Sequence, residues 1–192
     1  EISSKSLEEK LKQENINIKV KTFHSLGYEI IKKYKNVKIA DEKLLKKIID
    51  NNIRKCQNLR EILNLRFTRL GYPDKVFKKL ENNIILNSKY KTKLENILTV
   101  FINLYKSDNR HMTDFHKFEK INRENNMYDQ KTRHRLFLKL AQNTIREYQN
   151  TLTKKSLVDF HDMINLATYI VKKKGIYPYK YIIIDEYQDT YL

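Results

Sequence analysis

Three glycines and two prolines in 192 residues constrain this chain more than any of its motifs does. All-β sandwiches and barrels turn about every 8–12 residues on loops rich in Gly or Pro, and so few of either cannot supply those turns. Helices, which need such residues only near their ends, are what remains. The same scarcity limits the chemistry. The glycines stand at Gly27, Gly71 and Gly175, so no pair has the spacing of a phosphate-cradling P-loop, and a three-glycine dinucleotide fingerprint is excluded.

With 40% hydrophobic residues, 13 Tyr and 8 Phe, the chain carries the aromatic anchors that disordered sequences lack. A single cysteine, Cys56, excludes a disulfide framework and a Cys-rich zinc site. It is compatible with a reducing compartment, and a cytoplasmic location is expected. The longest uncharged run, residues 96–105, has ten residues against the roughly 20 that a membrane span needs, so no membrane partner is expected. The chain starts at Glu1 with no signal-like apolar stretch and stops just after a motif, so it reads as an excised fragment.

The net charge of +16 favours a polyanionic partner, because neutralising phosphates releases counterions. The 19 asparagines and many isoleucines show a bias that an AT-rich genome produces without selection. Charge alone therefore leaves a merely solvated surface open. The first candidates for backbone contact are the basic residues within 54–69 and 131–146.

Periodicity divides the chain. Residues 3–13 predict a short helix, and 16–21 alternate strictly as a half-exposed strand. That strand leads through Thr22-Phe23-His24-Ser25 into a helix with Leu26, Ile30, Ile31 and Tyr34 on one face. From Asp41 to about residue 150 the pattern is helical throughout. Asp41 caps a helix with Leu44, Leu45, Ile48, Ile49 and Ile53. Asp74 caps one with Val76, Phe77, Leu80 and Ile84. The next buries Leu94, Ile97, Leu98, Phe101, Ile102 and Tyr105. Thr113 caps a short helix, and 129–150 form a long one. Residues 159–174 predict an amphipathic helix burying Phe160, Met163, Ile164, Ala167 and Ile170, which Gly175 closes. Residues 179–184, nearly all aromatic or β-branched, predict a strand buried on both faces, as in a parallel sheet.

The chemistry collects where that strand ends, in Asp185-Glu186-Tyr187-Gln188-Asp189-Thr190. Ligands in open α/β sheets bind at the carboxyl ends of strands. Adjacent carboxylates there point in different directions and suit different tasks. Asp185 is placed to hold Mg²⁺, and Glu186 to orient and deprotonate an attacking water. Acidic residues that merely end a strand are the competing reading of the pair alone.

The longer string resembles the Walker B segment of the UvrD/Rep-type superfamily 1 helicases. Thr22-Phe23-His24-Ser25 is similar to the family's motif Ib, which lies along single-stranded DNA. A Thr hydroxyl and an imidazole can each donate to a phosphate, and Phe offers a stacking face, although Phe23 also suits a core position. The segment 157–163 resembles the family's return from its helical insertion, with His161 where an acidic residue is usual. Asp159 and Asp162 are expected to cap and pack rather than react. His111, His116 and His134 lack ligand spacing and are expected on surfaces.

The resemblance implies a mostly α chain in which a helical, 1B-like insertion (41–152) is flanked by pieces of a RecA-like α/β domain (1–40 and 153–192) with one or two parallel strands. It implies an ATP-dependent 3′–5′ DNA helicase or translocase, a hydrolase of the DNA-repair type using ATP and Mg²⁺, acting on single-stranded and junction DNA. Asp185 would hold the metal, Glu186 would be the base, Gln188 would sense the γ-phosphate and Asp189 would couple the site to its neighbours. Thr22, Phe23 and His24 would contact DNA. Without the phosphate-binding loop, the fragment alone is expected to be inactive. The alternatives are a non-catalytic nucleic-acid-binding module with a vestigial Walker B, or the helicase half of a helicase–nuclease.

Overall fold

The structure, a computed structural model, describes residues 4–14, 18–57, 59, 62, 77–80, 83–86, 88–108, 110–125, 128–176 and 179–185. The chain is mostly α-helical with a small parallel pair of strands. It divides into two compact units, residues 37–162 and residues 1–36 with 163–192.

In the larger unit, Asp41 accepts from Lys43 N–H at 2.8 Å and so caps α3, Glu42–Lys55 (α1 and α2 lie in the smaller unit). The hairpin strands β2, Phe77–Leu80, and β3, Asn83–Leu86, follow, and then α4, Ser88–Ser107. A single 3₁₀ turn, Met112–Asp114, leads into α5, Phe115–Asn125, and the long α6, Tyr128–Lys154. The expected Thr113 cap is not formed. The turn starts one residue after His111, whose N–H donates to Asp114 Oδ2 at 2.9 Å.

Helices α3, α4 and α6 pack around Ile49, Ile53, Leu94, Leu98, Ile102 and Ile145. Phe101 stands at the centre of an aromatic cluster, with ring centroids 5.6 Å from Phe137, 6.0 Å from Phe118 and 6.3 Å from Phe115. Such tilted pairs add about 0.5–1.5 kcal/mol each beyond their area. Ile97, expected in this core, is instead 47% exposed. The two strands β1, Lys38–Ile39, and β4, Leu157–Val158, pair in parallel and bring together the two places where the chain enters and leaves this unit.

The smaller unit holds α1, Ser4–Gln13; α2, Phe23–Tyr34; and most of α7, Phe160–Lys174. Ile31, Met163, Ala167 and Ile170 are buried, as the helical spacing requires. α2 meets α7 at Gly27, where a Cβ would stand 3.4 Å from Met163 O and 3.5 Å from Ala167 Cβ, at ordinary contact distance. Gly175 closes α7 at φ +60°, a conformation that glycine adopts without cost. Phe160, at the first turn, is 47% exposed rather than buried.

Three expected elements differ. The helix over 74–84 gives way, where it is described, to the antiparallel pair β2 and β3, with Phe77 opposite Leu86 and Leu80 opposite Asn83. Over so short a run the apolar spacing fits either period, and Ile84-Ile85 tips it to strand. Residues 18–21 of the expected first strand have no regular structure. Nor have residues 179–184. Tyr181, Ile182, Ile183 and Ile184 are 80%, 64%, 87% and 39% exposed. High β propensity cannot make a buried strand without a hydrogen-bonding neighbour, and among the described residues none pairs with this run. Among the described residues the parallel strands are therefore at 38–39 and 157–158, not at 18–21 and 179–184.

Candidate nucleotide and nucleic-acid site

Thr22-Phe23-His24-Ser25 forms a helix start. Thr22 takes extended dihedrals, φ −74° and ψ 158°, and its Oγ1 accepts Ser25 N–H at 3.1 Å. Its carbonyl accepts Leu26 N–H at 3.0 Å, opening the first turn of α2. The hydroxyl accepts one bond as a cap and keeps its own proton to donate. Phe23 is 51% exposed, so it is not a core residue, and His24 is exposed beside it. An exposed ring, an imidazole and a hydroxyl at the positive end of a helix dipole suit a base and its adjoining phosphate.

Asp185 follows the apolar run at an exposed bend. Glu186, Gln188 and Asp189 lie outside the described residues, so only the first carboxylate of the string has a place in the fold. Its hard oxygen donors fit Mg²⁺, which is commonly held by one or two carboxylates together with substrate phosphates. No group of three His, Cys, Asp or Glu side chains capable of holding a metal occurs among the described residues.

The most organised polar cluster was not anticipated. Lys106 is almost completely buried, with 3% of its side chain exposed, and pairs with Asp159 and, at 2.8 Å, with Asp162 Oδ2. Asp159 Oδ1 accepts Asp162 N–H at 2.9 Å, so Asp159 caps α7, as expected. Gln149 Nε2 donates to Asp162 Oδ2 at 3.3 Å. The ammonium lies 4.9 Å from the centre of the Tyr148 ring. Burial, then the charge of Asp159 and a hydrogen bond to it, push the Tyr148 phenol far above its ordinary range. One signal pointed here: Lys106 continues the buried i, i+4 row Leu98–Ile102, where a lysine needs a partner.

Of the basic candidates, Arg133 is structural, its Nε donating to Ile62 O at 2.9 Å. Arg54 is exposed and paired with Asp50 at 2.8 Å. Arg135, Lys139 and Arg146 are exposed on α6. Arg146 and Lys154 line an open groove of about 570 Å³ with Asn52, Asn143 and Asn150. His111 and His116 lie at the surface. His134 does not: its Nδ1 stands 3.2 Å from Asn122 Oδ1, and burial, then the charge of Arg133, lower its pKa.

The family model of the UvrD/REP helicase N-terminal domain matches residues 1–192, and the chain belongs to that family. No curated protein and no solved structure gives a significant match.

Proposed function

We propose that the chain is part of the motor of an ATP-dependent 3′–5′ DNA helicase or translocase, with residues 1–40 and 153–192 in its RecA-like domain and 41–152 as a DNA-contacting helical insertion. The observation that carries this reading is the family match over all 192 residues, which includes the acidic string 185–190. The nested division of the chain, with 37–162 compact between the two parts of the other unit, supports an insertion.

In this reading the exposed run 181–184 leads directly to Asp185, the first carboxylate of the nucleotide site. Mg²⁺, when bound, neutralises the phosphate charge. Asp185 supplies an oxygen ligand, Glu186 takes a proton from the attacking water, Gln188 contacts the γ-phosphate, and Asp189 links these groups to neighbouring segments. Thr22, Phe23 and His24 hold single-stranded DNA, while the insertion, which carries +11 of the net charge within 41–152, contacts duplex or junction backbone. Action in DNA repair and a cytoplasmic location accord with this reading. Among the described residues, no helix is long and apolar enough to cross a membrane.

The test is Glu186→Gln in the full-length gene product. The amide keeps size and polarity and cannot accept the proton. A general base contributes about 10²–10⁴-fold, so DNA-stimulated ATP hydrolysis should fall by at least about 100-fold while nucleotide affinity is nearly unchanged. Undiminished hydrolysis would refute the role of this carboxylate.

A further inference from the structure

We propose that the adjoining C-terminal ends of α2 and α7 form a second contact for the phosphate backbone of a nucleic acid, separate from the Thr22-Phe23-His24 end of α2. The proposal rests on the helicase reading and adds a surface to it.

The two helices touch at Gly27 beside Met163 and Ala167, and again where Lys174 Nζ lies 4.8 Å from the centre of the Tyr34 ring. Both contacts advance in the same direction along each chain, so the helices run parallel and their last turns share one end. That end carries Lys32, Lys33 and the cap residue Lys35 from α2, and Lys172, Lys173 and Lys174 from α7. Among the described residues only Lys33 of these six reaches a carboxylate, Glu29 at 3.8 Å, which Lys21 also engages.

Lysines commonly complement the negative end of a helix dipole, which amounts to about half a charge per helix. Six lysines far exceed what two helix ends require. Nor can Lys172, Lys173 and Lys174 all serve the carbonyls of their own helix, because successive residues point about 100° apart around the axis. The surplus is a concentrated positive field. Three tyrosines are set into it: Tyr28 under Lys32 at 5.6 Å, Tyr169 under Lys173 at 5.5 Å, and Tyr34 under Lys174. Lys173 Nζ also donates to the Tyr169 hydroxyl at 3.1 Å. Tyr34 and Tyr169 are 41% and 55% exposed. A phosphodiester backbone supplies repeated charges for the lysines and sugars or bases for the rings, which an acidic peptide does not. The 12 residues of α2 place this patch about 18 Å along the helix from Phe23, so one contact does not substitute for the other.

The experiment measures fluorescence-anisotropy binding of a labelled oligothymidylate and of a labelled blunt duplex across a salt series. The proteins are the full-length protein, its Lys172→Gln/Lys173→Gln/Lys174→Gln variant, and a Lys32→Gln/Lys35→Gln variant on the partner helix. These lysines are exposed, and thermal melting checks that the fold is kept. Each lost phosphate contact lowers the slope of log affinity against log salt by about 0.7–0.9. With one phosphate contact per lysine, the triple variant should therefore lose about 2–2.7 units of slope, and the double variant about 1.4–1.8, with whichever probe occupies the patch. Phe23→Ala should lower affinity for the single strand with little change in slope. If the parent binds with a steep slope and both lysine variants match it on both probes, the patch is refuted and the helicase reading stands. If the parent binds neither probe, the helicase reading fails and the patch fails with it.

Discussion

Replacing Lys106 by Met keeps the long unbranched stem and removes only the charge. In the parent the ammonium sits between Asp159 and Asp162, with 3% of the side chain exposed. Without it the two carboxylates face each other, with Tyr148 and the Gln149 amide among their remaining partners. Removing one member of a buried ion pair costs about 3–5 kcal/mol. The Asp159 and Asp162 side chains retain 14% and 29% exposure, so water recovers part of that cost. The lost cation–π contact with Tyr148 adds about 1 kcal/mol in the other direction. A net loss of about 3 kcal/mol is expected. In a chain of this size, 1 kcal/mol moves the melting midpoint by about 2–4 °C, so Lys106→Met should melt roughly 6–12 °C lower. Urea titration followed by far-UV circular dichroism gives the free energy directly. Adding Asp159→Asn and Asp162→Asn removes the stranded charges while an amide still caps α7, and should restore more than half of the loss. A loss below about 1 kcal/mol in Lys106→Met would refute the buried pair. No recovery in the triple variant would show that Lys106 acts through packing rather than charge.

Phe23→Ala should weaken binding of single-stranded oligonucleotide by about 1–3 kcal/mol if a base stacks on the exposed ring, with the melting temperature nearly unchanged because 51% of the residue is already in solvent. Equal affinity, or a large loss of stability, would remove Phe23 from the proposed DNA contact. Tyr148 has a folded-state pKa raised above its ordinary 10.0, so the folded state holds a proton that the unfolded state releases. Its contribution is complete below about pH 10 and is lost as pH rises beyond that, at about 1.4 kcal/mol per pH unit. Urea titrations across this range should show a steeper decline in the parent than in Tyr148→Phe, and parallel declines would refute the assignment. Gly27→Ala should stabilise by about 0.5–1 kcal/mol, because the added methyl meets Met163 O and Ala167 in ordinary contact and a glycine inside a helix is costly. Destabilisation in a thermal melt would mean that α2 and α7 cannot yield even slightly.

The helices were legible because their signals are local. Asp41 announces α3 one residue before it starts, and Leu94, Leu98 and Ile102 mark the buried face of α4 within two turns. Strands were misplaced because their stability is not local. Residues 181–184 have the composition of a central strand, but a ladder needs a partner that their own sequence cannot name, and in this structure the run stays irregular and exposed. Conversely, Lys38–Ile39 and Leu157–Val158 have no strand pattern of their own and become strands because the chain brings them together. The Lys106 cluster escaped for the same reason, since its carboxylates lie 53 and 56 residues away in sequence. The candidate site stands between these cases. Asp159 reveals itself as a cap and Thr22 as part of the polar turn before a helix, so both stand at helix boundaries, whereas Asp185 ends an apolar run that has no regular structure. What a boundary residue does beyond capping depends on its exposure. Phe23 shows this best: its spelling suited a buried ring and a stacking ring equally, and only its position in the first turn of α2, half in solvent, favours the second.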